Sequence, residues 1–389
     1  MDKFILNSLD PTGFVKLIPN REAVIEATEA CEYREHPANT LAKKLHPAVQ
    51  HLKVENVENL SEDCAVYTLV SEKEGEGVAY FDAGQYLSVI FEIGGTVTTR
   101  PYSIASSPKD SLRGFYKICV KRQKGGAVSG YILDNWQAGT VVKASAPLGS
   151  FTYEPLRDEK EVIAIAGGSG ITPILSLAKA VFEGSEELSL TVIYGANSEK
   201  ELYFKNVLDE LAKKCQNIKV VYILANEDAE SCEKGYISAE IIRKYAPEKP
   251  YSLFVCGPQA LYSYLEGELS ALSLSRKHIR REVQGENAFL LHTAPEAVRV
   301  RVKHGGTATD IIGCKNETVL RIIEKGGIKA PSHCRSGECG FCRAKLVSGK
   351  VYMGENADRR RLADAQYGYI HPCCTYPVTD IEIEVSALD

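Results

Sequence analysis

No apolar run in the sequence approaches the roughly 18 residues that a membrane-spanning helix needs. The opening "MDKFILNSLDPTGF" lacks the basic head, sustained apolar core and small-residue cleavage site of a signal peptide, so a cytoplasmic location without a membrane span is the expectation. Positive charge is not in excess either: 46 Lys and Arg against 51 Asp and Glu leave a net charge of -5, which gives no electrostatic footprint for nucleic acid. Internal repeats and low-complexity tracts are absent.

What the chain does have is length and cysteine. Its 389 residues, 44% hydrophobic and 25% charged, can bury two or three separate cores, and a multi-domain enzyme is the natural reading. Twelve cysteines in a long chain without an export signal point to a metal or redox role. Cys64, Cys119 and Cys215 lie in apolar strand or helix patterns and read as inert core thiols.

Four stretches differ in texture. Residues 1–48 form an extension of unknown role, in which "REAVIEATEAC" has helical spacing and "EHPANTLAKKLHP" is broken by Pro37 and Pro47. From 49 to 154, short runs such as "YLSVIFEI" and "RGFYKICVKR" between Gly, Pro and Ser turns predict a compact antiparallel β-barrel. From 155 to 285, apolar strands alternate with amphipathic helices, the pattern of an α/β doubly wound parallel sheet. A polar link around "QGENAF" then leads to a third unit, 297–389, opening on "VRVRVKHG" and closing on "DIEIEV".

In "CRSGECGFC", Cys334, Cys339 and Cys342 have the spacing C-x4-C-x2-C, and Cys373 follows after 30 residues in "PCCTYPVTD". That is the plant-type [2Fe-2S] pattern. Ser336, Gly337 and Gly340 keep bulk away, so that backbone N–H groups can approach anionic sulfurs. A four-thiolate zinc site and a disulfide are the alternatives.

Two further motifs suit nucleotides. In "TTRPYSIASSP" followed by "KGGAVSGYILDN", Gly125 and Gly126 precede a short helix whose first N–H groups, with Ser129, suit a pyrophosphate; Arg100 supplies the countercharge. Beside Pro101, Tyr102 offers an aromatic face and Ser103 a hydroxyl to a bound ring. "EVIAIAGGSGITPILSLAKA" is a strand, a turn with Gly167, Gly168 and Gly170, and a helix with Thr172 and Pro173 in its first turn, suited to a dinucleotide pyrophosphate. "LFVCGPQAL" ends a later strand on Cys256, Gly257 and Pro258.

Residues 297–389, through "HCRSGECGFCRAKLVSGKV" and "CCTYPVTDIEIEV", resemble a plant-type ferredoxin domain of α+β β-grasp fold. That likeness implies Cys373, not Cys374, as the fourth ligand. "RPYS", "GGAVS", "GGSGITP" and "CGP", in this order, resemble the ferredoxin reductase family, a flavin-binding barrel followed by a nicotinamide-binding domain. Over residues 50 to 389 the whole is similar to the reductase components that feed oxygenases. The family implies FAD, with FMN as the alternative, Cys256 beside the nicotinamide and Glu282 near the flavin; a buried small hydrophobe and a generic surface carboxylate are the other readings of those two residues. In "ILANEDAE", Asn226 and Glu227 offer no cation to a 2'-phosphate, which favours NADH, with NADPH open through Lys200 or Lys205.

The expected activity is hydride transfer from NADH to FAD, then single electrons through a [2Fe-2S] cluster to a separate acceptor protein such as an oxygenase. An anaerobic metalloprotein or corrinoid acceptor is a second reading. A non-catalytic electron carrier or redox sensor is a third, from another class.

Overall fold

The computed structural model describes residues 21–27, 36–282, 285, 296–354 and 358–386. The chain divides into two compact units, residues 1–44 and 45–389. Residues 21–27 are helical (α1) and Pro37–Leu45 forms α2. Pro37 opens that helix instead of breaking it, because the first helical position needs no N–H donor. The remainder of "REAVIEATEAC" and residues 1–20 lie outside the described residues, as does the polar link apart from Gly285.

Six antiparallel strands follow: β1 (Gln50–Ser61), β2 (Cys64–Ser71), β3 (Tyr86–Ile93), β4 (Thr96–Ser103), β5 (Phe115–Lys121) and β6 (Val141–Ala144), in the order β4-β3-β6-β1-β2-β5. An isolated bridge between Ile104 and Ile118 draws the two edges of this sheet together. Inward side chains, among them Leu52, Leu69, Val89 and Ile118, make one core, and Val128 and Ile132 of helix α4 (Ala127–Asn135) seal it; α3 (Pro108–Leu112) lies between β4 and β5 in sequence.

The next sheet is parallel: β7 (Glu161–Gly167), β8 (Ser189–Ala196), β9 (Ile218–Leu224), β10 (Cys232–Lys234), β11 (Tyr251–Cys256) and β12 (Ile279–Glu282), ordered β10-β9-β8-β7-β11-β12. Its helices are α5 (Ile171–Phe182), α6 (Lys205–Lys214), α7 (Ala239–Tyr245) and α8 (Gln259–Ser270). β7 is buried at six of its seven positions, as a central strand covered on both faces must be. The order reverses between β7 and β11, so the glycine turn after one and Cys256 at the end of the other share a crevice at the carboxyl ends of the strands. The amphipathic run from Lys200 turns α-helical only at Lys205. Phe204 adopts φ +63° and the buried Leu202 and Tyr203 occupy the preceding turn.

The third sheet, β14-β13-β19-β15-β17, is mixed: β13 (Ala297–His304) pairs antiparallel with β14 (Thr307–Cys314) but parallel with β19 (Ile381–Val385), and β15 (Ala344–Ser348) joins β19 to β17 (Tyr369–Ile370). A side pair, β16 (Val351–Met353) with β18 (Thr375–Pro377), and helices α9 (Val319–Lys325) and α10 (Leu362–Gln366) complete it. β13 alternates exposed and buried, and Val298, Val300 and Val302 meet Ile322 and Ile323 of α9. No helix among the described residues is long and apolar enough to cross a membrane.

Candidate redox site

The loop between α9 and β15 carries Cys334, Cys339 and Cys342, and the turn between β17 and β18 brings Cys373 against it. Cys334, Cys342 and Cys373 are buried, Cys339 is exposed, and the sulfurs of Cys342 and Cys373 lie 3.4 Å apart. Backbone N–H groups aim at them: Gly337 donates to Cys373 Sγ at 3.2 Å, Cys339 to Cys334 Sγ at 3.4 Å, and Ser336 and Phe341 to Cys334 and Cys339 at 3.5 Å. Cys334 is held far below the usual thiol range by hydrogen bonds from the Cys339 and Cys373 thiols. Cys374 is buried in the same hydrophobic cluster as Cys342 and Cys373, its Sγ donating to the carbonyl of His371 at 3.4 Å.

Three polar atoms around this loop are buried without a partner among the described residues: His371 Nε2, His333 Nδ1 and Ser336 Oγ. A Cβ on Gly340 would lie 3.5 Å from His371 Nε2, which places that ring against the loop. His371 Nδ1 donates to the Gly337 carbonyl at 2.9 Å, so in the neutral tautomer Nε2 carries a lone pair, and the Ser336 hydroxyl is the donor left for an anionic acceptor. The described residues hold no group of three or more His, Cys, Asp or Glu arranged for one metal ion. The cysteine sulfurs, with backbone N–H groups directed at Cys334, Cys339 and Cys373, fit a sulfur-rich cluster.

On the barrel, β4 ends in Arg100, Pro101, Tyr102 and Ser103. Arg100 Nη1 donates to Thr98 Oγ1 and to the Thr99 carbonyl, each at 2.7 Å. Tyr102 is half-buried, and burial pushes its phenol up, so it stays neutral. Gly125 takes φ +72° and Gly126 caps α4 with no side-chain bond, which leaves the first-turn N–H groups of a nine-residue helix for an anion. Ser129 Oγ already accepts from Gln123 N–H at 2.9 Å, so what it offers a phosphate is its proton.

In the crevice, Gly170 has no room for a side chain: a Cβ there would lie 2.2 Å from the Cys256 carbonyl oxygen. Thr172 donates to the Ser169 carbonyl, Pro173 is buried in the first turn of α5, and Tyr194 donates to the Gly168 carbonyl at 2.9 Å. Leu261 of α8 fills the space over Gly167 and Gly257, just after Pro258. Cys256 and Glu282 are register partners on β11 and β12, 6% and 7% exposed, so the surface-carboxylate reading of Glu282 does not hold. Burial, and then the Glu282 carboxylate, push the Cys256 thiol well up, making it a neutral packing group. Asn226 and Glu227 are exposed beyond β9; Glu227 accepts from Glu199 N–H at 2.8 Å, and Lys205 is engaged by Asp209 at 3.0 Å.

Family models match in the same order: an oxidoreductase FAD-binding domain over residues 51–153, an oxidoreductase NAD-binding domain over 164–266, and a 2Fe-2S iron-sulfur cluster binding domain over 302–378. The ferredoxin reductase component of 3-ketosteroid-9-alpha-monooxygenase from Mycobacterium tuberculosis is 32% identical over 323 residues, 78% of this chain and 84% of that one. The chain belongs to the ferredoxin reductase-type flavoproteins that carry a C-terminal [2Fe-2S] domain. FAD, a nicotinamide dinucleotide and a [2Fe-2S] cluster are the cofactors of this family member, an NAD(P)H-dependent oxidoreductase. The reductase subunit of glycine betaine monooxygenase from Pseudomonas aeruginosa is 28% identical over 78% of this chain and 87% of its own. Among solved structures, phthalate dioxygenase reductase shares the fold over 87% of this chain and 98% of its own, with a TM-score of 0.65 at 24% identity. The FAD/NAD-binding domain of a nitric oxide dioxygenase from Vibrio cholerae matches 60% of this chain and 97% of its own, with a TM-score of 0.53 at 26% identity.

In this flavoprotein three residues matter that no motif singled out. Tyr262 on α8 accepts from Gly257 N–H at 3.2 Å and donates to the Glu282 carbonyl, fastening β11 to β12 at the crevice. Tyr86, the register partner of Ser103, is 4% exposed, and burial above all, then the negative charge of Cys334, push its phenol far up. Arg335 is buried beside Cys334 and pairs with Glu324. Only its place, a cation directly after the first cysteine of the motif, hinted at the last.

Proposed function

We propose that the chain is the reductase component of an oxygenase system, a cytoplasmic enzyme that takes a hydride from NADH and hands single electrons to a separate oxygenase. The observation that carries this reading is the set of sulfurs fed by backbone N–H donors at the end of a flavin and nicotinamide body. The relatives named as monooxygenase reductase components support the partner class.

Cys334, Cys339, Cys342 and Cys373 hold the cluster, with Cys374 left as a spare thiol. Arg100 and the first-turn N–H groups of α4, helped by Ser129, neutralise the FAD diphosphate, while Tyr102 and Ser103 flank the ring. The turn from Gly167 to Pro173 receives the nicotinamide dinucleotide diphosphate, and Cys256, Gly257 and Pro258 form the floor under its ring. Glu282 lies beside that floor, and its buried carboxylate would offer a hydrogen-bond acceptor to a ring bound there. Asn226, with Glu227, faces the adenosine ribose; an acidic group there and a Lys205 already paired favour NADH over NADPH. When bound, the flavin supplies the conversion of an electron pair into single electrons, and the cluster supplies a one-electron relay. The protein's own part is to exclude water and fix distance. The neutral thiol of Cys256 and the apolar contact of Leu261 close the crevice from below.

Anaerobic stopped-flow mixing with NADH tests the reading. Flavin absorbance is expected to bleach first and a reduced-cluster signal to follow in electron paramagnetic resonance; adding an oxygenase component then discharges both. Absence of bleaching would leave a carrier or sensor as the better account.

A further inference from the structure

Arg335 follows Cys334 directly, where a long cation on a loop ordinarily reaches water. Instead it is 1% exposed, the largest fully buried side chain among the described residues, and adopts φ +56°. Left-handed backbone at a branched cation and a guanidinium out of water both cost free energy, so the surroundings hold it there for a reason. Glu324 of α9, 5% exposed, takes both prongs: Nη1 donates to Oε1 at 2.6 Å and Nη2 to Oε2 at 2.9 Å. Nη1 also reaches Thr98 Oγ1 on β4 at 3.3 Å. That hydroxyl is the acceptor for Arg100 at 2.7 Å. One position along, Thr99 Oγ1 meets Ser332 Oγ at 2.7 Å and donates to the Ser332 carbonyl at 3.1 Å.

These bonds run without a gap from α9, through Arg335 directly after the first cysteine of the cluster loop, to the strand that ends in Tyr102 and Ser103. An apolar contact of the same area would be as stable, but it would slide; a two-pronged ion pair with a shared hydroxyl fixes direction and register. We propose that Arg335, locked by Glu324 and seated on Thr98, is a positioning residue that sets the separation of the flavin and cluster sites and so the rate of electron passage between them. The inference rests on the reductase reading above. It assigns Arg335 no part in hydride transfer and none in holding iron.

The test uses the full-length, cofactor-loaded enzyme, with NADH as reductant and three readouts: iron content, the rate of flavin bleaching, and the rate at which the cluster signal grows in rapid-freeze electron paramagnetic resonance. Arg335→Lys keeps the charge and loses the fork. It is expected to retain iron and bleach flavin at the wild-type rate while cluster reduction slows by about tenfold or more, since small misplacements between reacting centres are costly. Thr98→Val attacks the same tie from the barrel side with the cysteine loop untouched, and is expected to slow cluster reduction in the same sense. Wild-type cluster reduction in both variants overturns the proposal. If Arg335→Lys loses its iron and Thr98→Val transfers at the full rate, Arg335 only holds the loop together and the proposal fails as well. Failure of the wild-type flavin to bleach would instead strike the reductase reading.

Discussion

Cys373 and Cys374 are neighbours of the same chemistry, both buried. Cys373 Sγ receives the N–H of Gly337 and lies against Cys342, whereas Cys374 Sγ spends its hydrogen on the His371 carbonyl. Cys373→Ser is expected to abolish the cluster and Cys374→Ser to keep it, read as iron per chain and visible absorbance of anaerobically purified protein. The opposite pattern would show the ligand choice to be wrong. Spacing alone could not make that choice, because a pair of adjacent cysteines fits the pattern twice; resemblance to the ferredoxin sequence run selected Cys373. Spacing was equally silent on Arg335. Its partner Glu324 is eleven residues away on a helix whose polar positions look like any solvated face, so the pair is visible only once α9 and the loop are folded together.

Among the elements, α5 joins the glycine turn to the barrel. Its Ser176 Oγ donates to the Ser106 carbonyl at 2.7 Å and its Lys179 Nζ to the Ala105 carbonyl at 2.8 Å, both just beyond Ser103. Burial lowers Lys179 from 10.5 to about 8, with Asp110 opposing, Lys117 adding to the shift and Glu183 opposing. Because the folded value is the lower one, the unfolded chain binds more protons between pH 8 and 10.5, and this residue makes stability rise with pH across that window; below it the buried charge is a constant penalty. Lys179→Met is expected to remove the rise, so the urea midpoint of wild type gains on that of the variant from pH 7.5 to 9.5. Parallel pH profiles would contradict the assignment. The element pattern was largely readable, since β7, β8, β9 and β11 carry continuous apolar runs followed by amphipathic helices. β10 and β12 were not, because three or four residues are too few to show a period. The late start of α6 was hidden for another reason: tertiary burial of Leu202 and Tyr203 overrides a sequence with good helical spacing.

At the scale of the whole molecule, the cores show which parts depend on one another. Barrel residues Cys64, Val66, Ala83 and Phe151 share one core with Ala164, Ile171, Leu175 and Tyr194 of the nicotinamide unit, so those two units bury apolar surface jointly. The cores between residues 298 and 385 contain neither. Hydrogen bonds join the cluster unit to the barrel, Thr99 with Ser332 and Thr98 with Arg335, and Gly285 N–H donates to the Cys334 carbonyl at 3.2 Å. Cutting polar ties returns hydroxyl groups to water at little cost, whereas cutting a shared core does not. A chain ended after Gly285 is therefore expected to stay soluble, hold FAD and be bleached by NADH at close to the full rate, while its delivery of single electrons to a protein acceptor falls by about tenfold or more as the relay is lost. Flavin content by absorbance and the two rates by stopped flow decide the matter. A shortened chain that aggregates or loses FAD would mean the cluster unit supports the barrel through more than the threonine contacts, and the division of the molecule into a hydride-accepting body and an appended relay would have to be given up.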